Sequence, residues 1–162
     1  MTTVKDIYGV AEKFINKFLR EESADQGHTL TGAMEDSFDF TSYREGKADV
    51  MEGFAVHYTK YVNDGVPAAS ASMKQFPFVK EFFIKRGLGT DEAGAAAAAT
   101  IRVWMKEGMS TQASKRFSKT GARQRMVENA FAGNESKLDE FMGNNFDFAV
   151  EENFQKEKSE TI

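Results

Sequence analysis

Apolar residues change their spacing twice along this chain, and the two switches restrict it to a mixed fold of helices around a small sheet. Ile7, Val10, Ala11, Phe14, Phe18 and Leu19 recur at three- and four-residue steps, with Lys5, Glu12, Lys13, Lys17 and Arg20 elsewhere on the wheel. This is an amphipathic helix of about five turns. It is expected to end near Glu22, because Ser23 to Thr29 is polar and contains Gly27. From Met34 the spacing becomes two: Phe38 and Phe40 alternate with Ser37, Asp39 and Thr41. After the turn-prone Arg44-Glu45-Gly46-Lys47, residues Phe54, Val56 and Tyr58 alternate again, which predicts a second strand, a hairpin, and a strand end at Asn63-Asp64-Gly65. Phe38, Phe40, Phe54, Val56 and Tyr58 are expected on one sheet face, covered by Phe14 and Phe18 of the first helix. Tyr58 and Tyr61, three apart, would face opposite ways, one to the core and one to a neighbour.

Helical spacing then returns. Pro77 suits a first helical turn, Phe78, Val79, Phe82 and Phe83 form an apolar face, and Gly87-Leu88 reads as a stop. A second helix from Thr90 or Asp91 has the face Ala93, Ala96, Ala97, Thr100, Ile101, Trp104 and Met105, and Gly108 ends it. The two make a helical hairpin. Its Ala95 to Ala99 run suits close packing of helix on helix, or else a small-residue face for another subunit. A further helix is expected from about Lys119 to Ala132, broken by Gly133-Asn134, and then a short one with Leu138, Phe141 and Met142. The last stretch, with Phe146, Phe148, Val150 and Phe154, leaves strand, helix and disordered latch open. The predicted fold is therefore α+β: a small antiparallel β-sheet packed by an N-terminal helix, with a helical insertion at about 72–108 and C-terminal helices. Residues 1–143 form one domain and 144–162 a tail or latch.

A chain of 162 residues can bury roughly 70% of its unfolded surface in one core. Without cysteine it has no disulfide, thiolate metal site or cysteine nucleophile, which suits a reducing compartment. Lys and Arg number 21 against 25 Asp and Glu, so the net charge of −4 argues against general nucleic-acid coating. No apolar run approaches the ~20 residues of a membrane helix, and the N-terminus lacks a signal-peptide core, so a soluble, unexported protein with no membrane partner is expected. Fifteen Phe against one Trp imply large apolar side chains beyond the needs of the core, spare for interfaces.

Chemistry is sparse. His28 and His57 lie far apart with no acid of evident role beside either, which makes neither a metal site nor a triad. Glu21-Glu22, Glu35-Asp36 and Glu151-Glu152 are adjacent in sequence, so their side chains diverge and read as solvated faces. Gly87-Leu88-Gly89 lacks the glycine, lysine-serine pair and preceding strand of a phosphate loop. No catalytic residue, cofactor or metal is expected. One local feature stands out: Lys115, Arg116, Lys119, Arg123 and Arg125 lie in eleven residues without an acid. Such a band could meet phosphate, or pair with acids such as Asp139, Glu140, Glu151 or Glu152 of a neighbouring subunit. With Phe117 as its only aromatic, it is a poor base-reading surface.

Two phrases add a resemblance. Thr31-Gly32-Ala33-Met34-Glu35-Asp36-Ser37-Phe38 and, further on, Tyr58-Thr59-Lys60-Tyr61-Val62-Asn63-Asp64-Gly65 resemble the paired signature of the neck and tail-completion proteins of long-tailed bacteriophages. There a Thr-Gly opens a strand with a serine a few residues on, and a Tyr-x-x-Tyr-Val-x-x-Gly strand end runs into a loop. In one branch of that family a helical insertion follows, and Phe76-Pro77-Phe78, Lys85-Arg86-Gly87-Leu88 and Glu107-Gly108-Met109 stand here in the same order. The likeness covers about residues 25 to 135. The family's usual Glu-x-Gly-Thr is here Asn63-Asp64-Gly65-Val66, a departure that bears on the loop's conformation.

The resemblance implies a structural virion protein, assembled in the host cytoplasm. It would be a homo-oligomeric ring subunit joining the head to the tail tube, touching portal or adaptor proteins on one side and tube or terminator proteins on the other. DNA would pass through without specific binding. Thr31, Gly32, Ser37, Tyr58, Tyr61 and Gly65 would then be architectural: Thr31 through its hydroxyl, the glycines through backbone freedom. The alternative is a non-catalytic module that binds nucleic acid or an acidic partner through the basic band.

Overall fold

The computed structural model describes residues 4–160 and shows the α+β fold. Helix α1 (Val4–Asp25) leads through a 3₁₀ turn (Glu35–Ser37) into strands β1 (Asp39–Glu45) and β2 (Ala48–Phe54). A short α2 (Thr59–Asp64) and two 3₁₀ turns precede α3 (Phe76–Lys85) and α4 (Thr90–Glu107). Then come α5 (Gln112–Lys115), α6 (Met126–Ala132) and α7 (Glu135–Glu160).

Helix α1 outruns its predicted end because its buried stripe continues in polar residues. Ile7, Ala11, Ile15, Phe18 and Leu19 are followed at the same spacing by Ser23 and Gln26, both fully buried, whereas Val10 faces out. The main core joins Ile15, Phe18, Leu19, Met34, Phe38, Met126 and Ala130, with Phe14, Phe40, Met51, Val56 and Leu138 packed at its edge. Phe14 touches Phe18 edge-on at 4.4 Å and stacks on Phe141 of α7 at 5.3 Å. Helix α1 thus lies against the hairpin, α6 and α7 together.

The sheet is a two-stranded antiparallel hairpin, closed by Gly46-Lys47 between the paired Glu45 and Ala48. Its register corrects the predicted face. Phe40 pairs with Gly53 and Ser42 with Met51, so these four share the side toward α1, while Phe54 pairs with Asp39 on the other side and is 49% exposed. A Cβ on Gly53 would stand 3.0 Å from the Phe40 ring, so the ring fills the space over that glycine. The strand also ends earlier than predicted. β1 begins at Asp39 because residues 35–37 form the 3₁₀ turn, which leaves residues after Phe54 no ladder partner. Their backbone groups bond locally instead: Thr59 N–H to Val56 O at 2.9 Å, and Tyr61 and Val62 N–H to Tyr58 O. The Tyr58 to Gly65 phrase is therefore a helical turn.

The α3–α4 hairpin carries a second core of Val79, Ala97 and Ile101, flanked by Phe76, Phe83 and Trp104. Ala93 and Ala97 are fully buried, so these alanines let the helices approach closely. The Ser72 N–H donates to Gln75 Oε1 at 2.7 Å ahead of α3, and Pro77 lies in its first turn. Beyond Gly87, Leu88 N–H closes onto Phe83 O at 3.1 Å. Phe78 and Phe82, expected on the inner face, point outward; the inner line is Phe76, Val79 and Phe83.

Toward the C-terminus two boundaries differ from expectation. Helix α6 starts at Met126, because residues 116–125 form a loop bound to other segments. Helix α7 then runs unbroken to Glu160, so the supposed short helix and the tail are one element. Gly133-Asn134 separates α6 from α7 as expected, although Gly133 keeps right-handed helical angles and Leu138 N–H already bonds Asn134 O at 2.9 Å. Asn145 and Asn153 each return a side-chain amide to the carbonyl four residues back, at 2.8 Å. No helix among the described residues is long and apolar enough to cross a membrane.

Candidate assembly surface

Four of the six motif residues shape the backbone. Thr31 Oγ1 accepts from Ala33 N–H at 3.4 Å, a weak turn bond, and Gly32, at φ 78°, accepts Asp36 N–H on its carbonyl at 2.8 Å. Ser37 Oγ donates to Met34 O at 2.6 Å and accepts from Val56 N–H at 3.0 Å, tying the 3₁₀ turn to the chain leaving β2. Gly65 is buried at φ 74°, packed by the Gln124 side chain. The two tyrosines depart from expectation: neither is core. Tyr58 and Tyr61 are both about half exposed, Tyr61 edge-on to the His57 ring at 5.5 Å. Partial burial, then the nearby Glu35 carboxylate, raises the Tyr58 hydroxyl's pKa.

Beneath this turn lies a polar cluster that the sequence did not disclose. Glu35, read as a solvated acid, is only 5% exposed; its Oε1 accepts from Ser23 Oγ at 2.6 Å and Thr29 Oγ1 at 2.7 Å. Burial pushes its carboxyl upward, but those hydrogen bonds, its backbone amide and the Arg20 charge outweigh burial and hold it below the usual range. His28 meets Gln26 Oε1 at 3.0 Å. Burial, with the Arg123 charge, lowers its pKa from 6.5 to about 4, so the ring is neutral at pH 7. Asp36 alone of the acidic pair is exposed, bonded to Arg20 at 3.2 Å.

The basic band divides. Lys119 binds Asp25 through its ammonium at 2.6 Å and through its N–H to the Asp25 carbonyl at 2.8 Å. Arg123 Nη1 donates to Gly27 O at 3.4 Å, and burial followed by nearby Arg86 disfavours its charge. Gln26 Nε2 donates to Gln124 O at 3.2 Å, and Arg125 N–H, in a left-handed residue at φ 58°, to Asn63 O at 2.7 Å. This segment is a belt that fastens the end of α1 to the end of α2 and the start of α6. Lys119 and Arg123 therefore serve this chain. Lys115, Arg116 and the Arg125 side chain remain exposed, and the Arg116 guanidinium lies over the Phe117 ring at 4.8 Å.

Phe117 is itself 64% exposed, and further large apolar groups stand in solvent outside the band. Phe78 is 74% exposed, with Phe82 one turn on and the Arg86 guanidinium over its ring at 5.3 Å. On α7, Phe148 and Phe154 are 61% and 62% exposed. The surplus of phenylalanine was the sequence signal for such surfaces, although their positions were not readable. An open cleft of about 300 Å³ between α1 and the hairpin is lined by Tyr8, Gly9, Glu12, Phe40, Thr41, Ser42 and Met51, with Glu12 as its one acid. Among the described residues no group of three His, Cys, Asp or Glu could hold a metal. Comparisons with protein-family models, with curated proteins and with solved structures return no match.

Proposed function

We propose that this protein is a structural subunit of a phage virion, a ring-forming neck or tail-completion protein that joins the head to the tail tube. The observation that carries the reading is the display of large aromatic side chains on two separate elements, Phe78 and Phe82 on α3 and Phe148 and Phe154 on α7. An isolated chain gains nothing from holding such groups in water, whereas a subunit buries them against its neighbours. The Thr31-Gly32 and Tyr58 to Gly65 phrases support it by their likeness to the neck family. The polar residues around them hold turns and helix ends together rather than converging on a reactive centre. A DNA conduit should hold phosphate loosely, and a subunit of net charge −4 with Lys119 and Arg123 committed internally suits that role.

The test is particle mass, measured for the protein alone and with portal-side and tube-side proteins added. A closed ring alone, or one formed on either partner, is the expected result. A chain that stays monomeric with both sets of partners overturns the reading, and salt-sensitive retention of duplex DNA by that monomer would favour the nucleic-acid alternative.

A further inference from the structure

We infer that the acidic, aromatic end of α7 in one copy docks head to tail on the Arg–Phe surface formed by α3 and the 116–123 loop of the next copy. The inference rests on the assembly reading above and names the contact that would build it.

The α7 side comes first. Early in the helix, Phe141 stacks on Phe14, and Phe146 meets Tyr8 edge-on at 6.3 Å, so α7 runs antiparallel along α1 toward its N-terminal end. From Asp147 on the helix turns aromatic groups away from that contact. Asp147, Phe148, Glu151 and Phe154 follow one another at short helical steps, all exposed, so two carboxylates stand between two rings on one face. The whole helix has eight acidic residues against three lysines.

The receiving surface has the opposite character. Phe82 lies under Arg86, and Phe117 lies under Arg116. Arg123, whose guanidinium donates to Gly27 O where the Phe117 carbonyl also lies close, is within electrostatic reach of Arg86. Phe78 extends the apolar strip one turn back along α3. The nearby acids Glu81 and Asp25 are already paired, with Lys85 at 2.8 Å and Lys119 at 2.6 Å. Guanidinium groups over exposed rings suit a helix that offers carboxylates between aromatic residues: the arginines meet the acids in a fork geometry and the rings bury against rings.

Position decides the occupant. The end of α7 lies by the N-terminal part of α1, whereas the loop half of the Arg–Phe surface lies at its other end, by Asp25 and Gly27. A helix of 22 residues spans roughly 33 Å at 1.5 Å per residue, so the two cannot meet within one chain. Two complementary surfaces at opposite ends make a head-to-tail contact, which repeats from copy to copy and closes into a ring when the rotation allows.

The test uses full-length protein in two forms. The tail form carries Glu151→Lys and Phe154→Ala; the head form carries Phe78→Ala and Arg86→Glu. All four residues are exposed, and thermal unfolding checks that each form is folded. Asp147→Asn with Phe148→Ser is a second tail form should the first unfold. Each form alone is expected to weaken the contact by about 30-fold or more and to run as a monomer where the parent assembles. Their equimolar mixture should give a particle of two chains and nothing larger, because one intact tail meets one intact head. Parent-like assembly by either folded form, or a mixture that stays monomeric, overturns the docking while leaving the assembly reading in place. A parent that is monomeric with every virion partner overturns both.

Discussion

Gly65 sits at φ 74° and ψ −176°, a backbone region open essentially to glycine alone, and a Cβ there would also run into the Gln124 side chain. Gly65→Ala is therefore expected to destabilise the fold by about 2–4 kcal/mol in denaturant unfolding, the strain adding to displacement of Gln124 from the Asp64 carbonyl. A change below ~0.5 kcal/mol would show that the turn relaxes freely. Protonation is the second residue-scale test. His28 has a folded pKa of about 4 against an ordinary 6.5, so between these values the unfolded chain binds more protons and stability falls as pH drops from 6.5 toward 4. After allowance for solvent screening the loss is about 1–2 kcal/mol. Glu35, also depressed, adds its loss at lower pH still. His28→Gln should flatten the first part of that profile, and an unchanged slope would assign it elsewhere. Glycine and serine in the Thr31 to Ser37 phrase were readable because a turn limits which residues it admits. Glu35 was not, since a carboxylate beside Asp36 looks the same whether Ser23 and Thr29 enclose it or water does.

At the scale of elements, helices whose apolar stripe faces one partner were legible: α1, α3 and α4 appear where three- and four-residue spacing placed them. The errors fall where an element's neighbour decides its fate. Val56 and Tyr58 continue a strand pattern, but no β1 residue remains opposite them, so the chain turns helical. Helix α7 hides its inner stripe among acids and asparagines, and its polar half is helical because it continues an anchored one. The contrast between Phe54 and Ile101 tests this account. Phe54 lies on the solvent side of the hairpin, so Phe54→Ala should change stability by no more than about 0.5 kcal/mol. Ile101 is fully buried between α3 and α4, and Ile101→Ala should cost about 2–5 kcal/mol. Reversal of that order would mean that the hairpin faces α1 the other way round.

For the molecule as a whole, the consequential feature is that two cores share one chain with a narrow junction. The main core centres on Ile15, Phe18 and Met126 and the second on Val79, Ala97 and Ile101; Met109 N–H bonds Val66 O at 2.8 Å where the chain leaves α4. Local opening follows cooperative units of this kind, so α3–α4 amides should exchange hydrogen at a protection level distinct from those of α1. Assembly should act on the two unequally. If Phe78 and Phe82 are covered by a neighbour, opening of α3 must first break that contact, and binding stabilises only the state that binds. Amide exchange in α3 should then slow at least tenfold in the assembled parent relative to the monomeric tail form, while exchange in the middle of α1, around Ile15, stays within about twofold. Equal slowing in both would mean that the subunit is stabilised as one block. No slowing in α3 would place the contact on another face.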